Sequence, residues 1–149
     1  MRTTTAAAGR QVGFPFNYEQ VLAGKPQWKR IVSAADAVTS VAYFGDTLYM
    51  VSHKGAPRSR VIALNLETPN IQAAKEVIAE SQQVVVNVAA AADALYIESR
   101  DGNVKRLYKR AYAPTANTVE VTLPVQGSFE LAGDGVNAAD PRLPGVTID

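Results

Sequence analysis

The chain of 149 residues contains no cysteine. That absence removes disulfides, thiolate nucleophiles and Cys-ligated zinc together, and leaves the redox compartment undetermined. Histidine is scarce too: with His53 alone, the chain cannot build a His-clustered metal site or a pair of imidazole acid/base groups. Charged residues make up only 19% and the formal net charge is +1, too little for an overall field that gathers nucleic acid or an anionic membrane. No apolar run reaches transmembrane length, and the opening Met1–Arg10 has an early positive charge without a secretory apolar stretch. The sequence reads as soluble, cytoplasmic or periplasmic, with no membrane partner. Residues 1–11 read as a disordered or tag-like N-terminus.

What is present is a 47% hydrophobic fraction in a chain of single-domain size, enough for a packed core. The apolar residues fall in short β-type runs broken by turn residues, with hardly any helical spacing. About eleven strands are expected. The clearest are Trp28–Val32, Val38–Phe44, Thr47–His53, Arg60–Leu66, Lys75–Ala79, Val84–Ala89, Ala94–Arg100, Val104–Tyr112 and Thr118–Leu123. Between them stand Gly45-Asp46, Gly55-Ala56-Pro57, Thr68-Pro69-Asn70, Asp101-Gly102-Asn103, Ala113-Pro114 and Gly133-Asp134-Gly135, residues that tolerate tight turns. Ile71–Glu80 has the propensity for a helical turn, but Pro69-Asn70 before it and the valine run after it favour a strand.

An internal repeat organises these strands. Val41-Ala42-Tyr43-Phe44-Gly45-Asp46-Thr47-Leu48-Tyr49-Met50 returns as Val88-Ala89-Ala90-Ala91-Ala92-Asp93-Ala94-Leu95-Tyr96-Ile97, 47 positions on. Ser59-Arg60-Val61-Ile62 matches Lys105-Arg106-Leu107-Tyr108, and Trp28–Val32 matches Ala74–Ile78, both at 46. Four short strands in a unit of about 40 to 50 residues describe the blade of a β-propeller. Leu48 and Met50 should then point to one face and Tyr49 and Val51 to the other, each meeting a neighbouring blade.

The expectation is an all-β partial propeller over residues 12–149: about two complete four-stranded antiparallel blades, near 33–79 and 82–123, with incomplete blades at both ends. Val12–Val21 with Trp28–Val32 reads as the closing hairpin of an earlier blade. Ser128–Asp149 reads as the opening of a later one, ending in a strand-like run, Gly145–Asp149, with nothing after it to pair with.

The run Leu48-Tyr49-Met50-Val51-Ser52-His53-Lys54-Gly55-Ala56-Pro57-Arg58-Ser59-Arg60-Val61 resembles a blade hairpin of the prolyl oligopeptidase family of serine peptidases: an apolar strand, an Ala-Pro-Arg turn and a return strand opening on a basic residue and Val. The flanking Trp28–Val32 and Lys75–Ile78, the latter followed by Glu80, are similar to outer strands of such blades, and the resemblance runs from about Gln27 to Leu123 and faintly to Asp149. It implies a two-domain enzyme, with a Ser-Asp-His hydrolase domain and a propeller that lids the active site. Its implied partners are the parent's hydrolase domain and its peptide substrate.

No serine here sits in a Gly-x-Ser-x-Gly elbow, so no catalytic residue carries over from the resemblance. No catalytic, cofactor-binding or metal residue is assigned, and no cofactor is expected. His53 could be imagined as a general base, but a lone His beside Lys54, Arg58 and Arg60 in a turn reads as solvated surface. Arg100, Lys105, Arg106, Lys109 and Arg110, interleaved with Tyr108 and Tyr112, could hold a nucleic-acid strand, though a solvated hairpin explains them better. Asp134–Asp140 offers oxygens without the calcium-loop pattern and reads as a polar turn. Tyr18, Tyr43, Tyr49, Tyr96 and Trp28 are expected in packing between blades.

The functional expectation is a non-catalytic propeller fragment that gates access to a hydrolase domain, without peptidase activity of its own. The alternative is a free-standing β-sheet module that binds a protein partner. Blade faces built to meet neighbours should expose Val, Leu and Tyr, so the fragment is also expected to self-associate.

Overall fold

Two-residue turns set the architecture. Gly45-Asp46 and Gly102-Asn103 each reverse the chain between paired strands, and Gly45 and Gly102 take positive φ, +55° and +59°. An L side chain rarely adopts that region, which is why glycine stands there. The structure, a computed structural model, describes residues 13–15, 24, 28–124, 129–132 and 147–148. In chain order its strands are β1 (Gly13–Pro15), β2 (Trp28–Arg30), β3 (Val38–Phe44), β4 (Thr47–Ser52), β5 (Arg60–Asn65), β6 (Lys75–Ile78), β7 (Val84–Ala90), β8 (Leu95–Asp101), β9 (Val104–Arg110), β10 (Thr118–Val121), β11 (Leu131–Ala132) and β12 (Thr147–Ile148). Single turns of 3-10 helix occupy Ala34–Asp36 and Ile71–Ala73. Ile71–Glu80 thus holds both elements its residues suggested, a turn closed by Asn70 Oδ1 accepting from the Gln72 N–H and then a strand.

Two four-stranded antiparallel meanders form, β3-β4-β5-β6 and β7-β8-β9-β10. The chain is all-β and its sheets are the blades of a partial propeller. They share their irregularities as well as their strands. Pairing slips between Val38 and Ser40 on β3, and between Val85 and Asn87 on β7, so Thr39 and Val86 bulge at matching places 47 residues apart. A bulge bends and twists its strand at a set point.

Strand alternation sends each blade's apolar residues to both faces. Ala42, Tyr49, Val51 and Val61 of the first blade meet Val85, Val88, Leu95 and Ile97 of the second in one core. Leu48, Met50 and Leu64 turn the other way, under Ile31 and Val32. Beyond the second blade, Ala89 and Leu107 pack with Phe129 and Leu131. The repeat therefore extends to the packing. Ile31, Val77 and Leu123 stand 46 residues apart, and each joins the core on the far side of its outer strand.

Thr147 and Ile148 pair with Ala132 and Leu131, earlier in the chain, as a short antiparallel ladder. One expectation needs correction: the broad exposure of Val, Leu and Tyr is missing among the described residues, where the large hydrophobics left exposed are Val86, Val104 and Val119. Leu48 and Met50, expected to meet a neighbouring layer, are 0% exposed and pack with Ile31 and Val32. Tyr18, the side chain of Trp28 and the run Asp134–Asp140 lie outside the described residues.

Candidate functional site

The seams beside the second blade carry the chain's most specific polar chemistry. At the first seam the innermost strands β3 and β7 lie together. Ser40 Oγ donates to Asn87 Oδ1 at 2.5 Å, and the Val88 N–H donates to the same Asn87 oxygen at 2.9 Å. Asn87 Nδ2 then donates to the Leu131 carbonyl at 3.1 Å, so one amide joins the first blade, the second and the segment beyond. Ser40 and Asn87 occupy the position just before the repeated Val41/Val88 motif. Two polar residues at one repeat position, directly before an apolar run, are the signal that could have singled them out in the sequence.

The Ala-Pro-Arg turn clamps one end of this seam. The Arg58 N–H donates to Glu80 Oε1 at 2.6 Å, its carbonyl accepts from the Val85 N–H at 3.0 Å, and its guanidinium reaches Gln82 Oε1 at 3.3 Å. Ala56 is buried in the turn, and Ser59, at φ +66°, swings the chain back into β5. The other end is closed by rings. Phe44 at the end of β3 stacks on Tyr112 with centroids 3.9 Å apart and planes 4° from parallel, and Tyr49 lies 5.9 Å away. Tyr112 Oη donates to the carbonyls of Ala91 and Ala94 at 2.6 and 2.9 Å. Burial pushes the Tyr112 phenol well above the usual tyrosine range, so it stays a donor at any working pH.

At the second seam sits a buried ion pair. Glu98, its side chain 3% exposed, meets Lys105 Nζ at 2.9 Å and accepts from the Leu131 N–H at 3.3 Å. Lys105 Nζ also donates to the Phe129 carbonyl and lies 5.8 Å from the Phe129 ring. Glu98 follows Ile97 in β8 and is buried, and a desolvated charge requires such a partner.

A third polar centre lies at the N-terminal edge of the first blade. Asp36 Oδ2 accepts from the N–H and the hydroxyl of Ser33, both at 2.8 Å, and Asp36 Oδ1 pairs with Lys54 at 3.0 Å. The Ser33 backbone donor, reinforced by Lys54, holds the Asp36 carboxyl below the usual range against the opposing effect of burial. Ser52 Oγ donates to the Asp36 carbonyl at 2.7 Å. Asp36, Ser52, Lys54, Arg60 and Glu76, together with Ile62 and Ile71, line a cavity of about 230 Å³ of mixed polarity.

The residues singled out in the sequence are dispersed. His53 is exposed in its turn; its backbone N–H donates to the Ala37 carbonyl and its own carbonyl accepts from Ala56. The basic run splits across β9. Lys105 and Leu107 turn toward Phe129, while Tyr108 packs against the core shared with the first blade. Arg106 pairs with Glu120 at 2.8 Å, as Arg60 pairs with Glu76 on the first blade at 3.3 Å, and Arg110 donates to the Pro114 carbonyl. Arg100 and Lys109 are exposed. Tyr49 lies in the shared core, Tyr43 in the core under Ile31 and Val32, and Tyr96 against Phe129 and Leu131, its hydroxyl donating to Asp93 at 3.1 Å. Among the described residues, three or more His, Cys, Asp or Glu do not come together in a metal-binding group.

The sequence profile described as the prolyl oligopeptidase N-terminal beta-propeller domain matches residues 16–137. No curated protein matches the chain. Solved structures do. One comes from work on two prolyl endopeptidases and the role of inter-domain dynamics in catalysis and specificity; it is 23% identical, with a TM-score of 0.63 over 75% of this chain and 17% of the other. Another is prolyl oligopeptidase B from Galerina marginata bound to a 35mer hydrolysis and macrocyclization substrate. It is 17% identical, with a TM-score of 0.64 over 85% of this chain and 18% of the other. The apo form of that protein matches at 16% identity and a TM-score of 0.57, over 74% of this chain and 16% of its own. This chain thus spans less than a fifth of the length of the structures it resembles.

Proposed function

Because this chain belongs to the family of prolyl oligopeptidase N-terminal β-propeller domains, we propose that it serves as the non-catalytic, gating part of a serine peptidase whose hydrolase domain lies outside these residues. The observation that supports this reading is the double burial of each described blade. Sheets packed on both faces make a stiff wall, and a stiff wall with a narrow way through admits short flexible peptides while excluding folded chains. Hydrolysis would belong to the triad of the partner domain, and this chain would contribute exclusion and orientation. Its partners on this reading are that hydrolase domain and the peptide substrate. Without them, the open edges of the sheets pair with a second copy of the chain.

The test is the native gene product, weighed and assayed. A mass several-fold above 15.9 kDa is expected, with a serine labelled by an organophosphonate and hydrolysis of a short proline-containing peptide but not of a folded protein carrying the same segment. A product of 15.9 kDa that takes no label overturns the proposal. It would favour the second reading, a free-standing interaction module, for which the scarcity of exposed large apolar side chains among the described residues also speaks.

A further inference from the structure

We infer that both seams beside the second blade are latched shut, with Asn87 as the joint they share, so that a peptide reaching the hydrolase domain passes elsewhere. The second half of this inference rests on the gating reading; the first does not. At the seam with the first blade the latch engages in three separate places. Ser40 bonds Asn87 near the bulges, the Arg58 turn grips Glu80, Gln82 and Val85 at one end, and Phe44 stacks on Tyr112 at the other. At the next seam the Asn87 amide holds the Leu131 carbonyl while Glu98 and Lys105 hold the Leu131 N–H and the Phe129 carbonyl.

Opening either seam breaks polar pairs that sit beside apolar surface. Parting the first breaks the bonds of Ser40 and the Val85 N–H as Val51, Val61, Leu95 and Ile97 become wet. Parting the second strips Glu98 of its backbone donor and uncovers Ala89 and Leu107. One amide serves both seams, through Oδ1 on one side and Nδ2 on the other, so neither opens without disturbing the other. Asn87 is therefore a positioning residue for the inner strands.

Amide hydrogen exchange on this chain tests the latch directly. The Val85 N–H bonds across the first seam and the Leu131 N–H across the second, whereas the Met50 and Ile97 amides lie in central strands. Latched seams give Val85 and Leu131 protection within about tenfold of Met50 and Ile97, because all open in one cooperative event. Exchange at Val85 or Leu131 about 100-fold faster than at Met50 overturns the inference. In Asn87→Asp, which keeps the acceptor and loses the donor to the Leu131 carbonyl, Leu131 should lose protection and Val85 with it, because the two seams share the joint; loss at Leu131 with Val85 unchanged, or loss at neither, rules out the joint. Ser40→Ala removes only the first contact and serves if Asn87 variants fold poorly. In the native gene product, Ser40→Ala should leave kcat/KM for a short peptide within about twofold; a rise of about tenfold would mean that peptides enter by this seam. A native product with no peptidase activity would count against the gating reading alone, since the exchange result stands without it.

Discussion

Asp36 and Glu98 are both acidic, both largely buried and both paired with a lysine, yet they answer to different variables. Asp36 is held by Ser33 and Lys54 with its pKa lowered on folding. A carboxylate depressed in the folded state contributes stability that is present above its unfolded pKa and lost as pH falls through its folded one. Asp36→Asn should accordingly cost about 2 kcal/mol at neutral pH and flatten the acid limb of a stability-against-pH curve. Urea unfolding from pH 7 downward checks this, and an unchanged acid limb would contradict it. Glu98 tests burial instead. Glu98→Gln leaves Lys105 without its anion, for an expected loss of about 3 kcal/mol. Replacing both Glu98 and Lys105 by Met should recover part of it, because the unpaired charge is removed while the Leu131 N–H and the Phe129 carbonyl lose their partners. Denaturant midpoints of the single and double variants supply the comparison.

Among the elements, the hairpins were the most legible, and every strand from β2 to β10 except β8 begins where the sequence placed it. Turn residues carry their own geometry, so Gly45-Asp46 and Asp101-Gly102-Asn103 announced reversals without reference to the rest of the fold. Gly102→Ala tests this. The added Cβ meets no atom within 4 Å, so the expected cost of about 1 kcal/mol is backbone strain alone. A melt indistinguishable from wild type would show that the turn can change type. Ends of strands were less legible. The stretch expected over Val104–Tyr112 stops at Arg110, because Tyr112 leaves the ladder to stack on Phe44 and cap Ala91 and Ala94. Alternation cannot foresee such a departure. It depends on a ring 68 residues earlier in the chain, 112 minus 44.

Between the blades, the shared core implies cooperative behaviour. Ile97 is fully buried against first-blade residues, so Ile97→Ala should cost about 2 to 5 kcal/mol and lower the unfolding of both blades together. A biphasic melt, with the first blade unmoved, would show that the blades are separable. Association also reads out here. Light scattering after gel filtration should give more than one chain per particle if open edges pair, and a monomer mass at micromolar concentration would end that idea. The exposed apolar area expected of bare faces is not what would drive it, since Leu48 and Met50 are roofed by Ile31 and Val32. The sequence reading set both faces of β4 against neighbours, and its expectation of exposed apolar area left that cover out.

The primary structure alone settled the architecture: a repeat of 46 or 47 residues, the turn glycines and strand alternation suffice to state four-stranded blades buried on two faces, because each rests on local geometry and periodicity. Ser40 and Asn87 are legible as polar residues directly before the repeated apolar run, yet their bond, and the reach of Asn87 to Leu131, exist only once the blades stack. The same holds for Glu98 with Lys105, for Phe44 with Tyr112 and for the pairing of Thr147–Ile148 with Leu131–Ala132. These contacts are set by rotation between neighbouring sheets and by the bulges at Thr39 and Val86, quantities that no pattern along a single strand encodes.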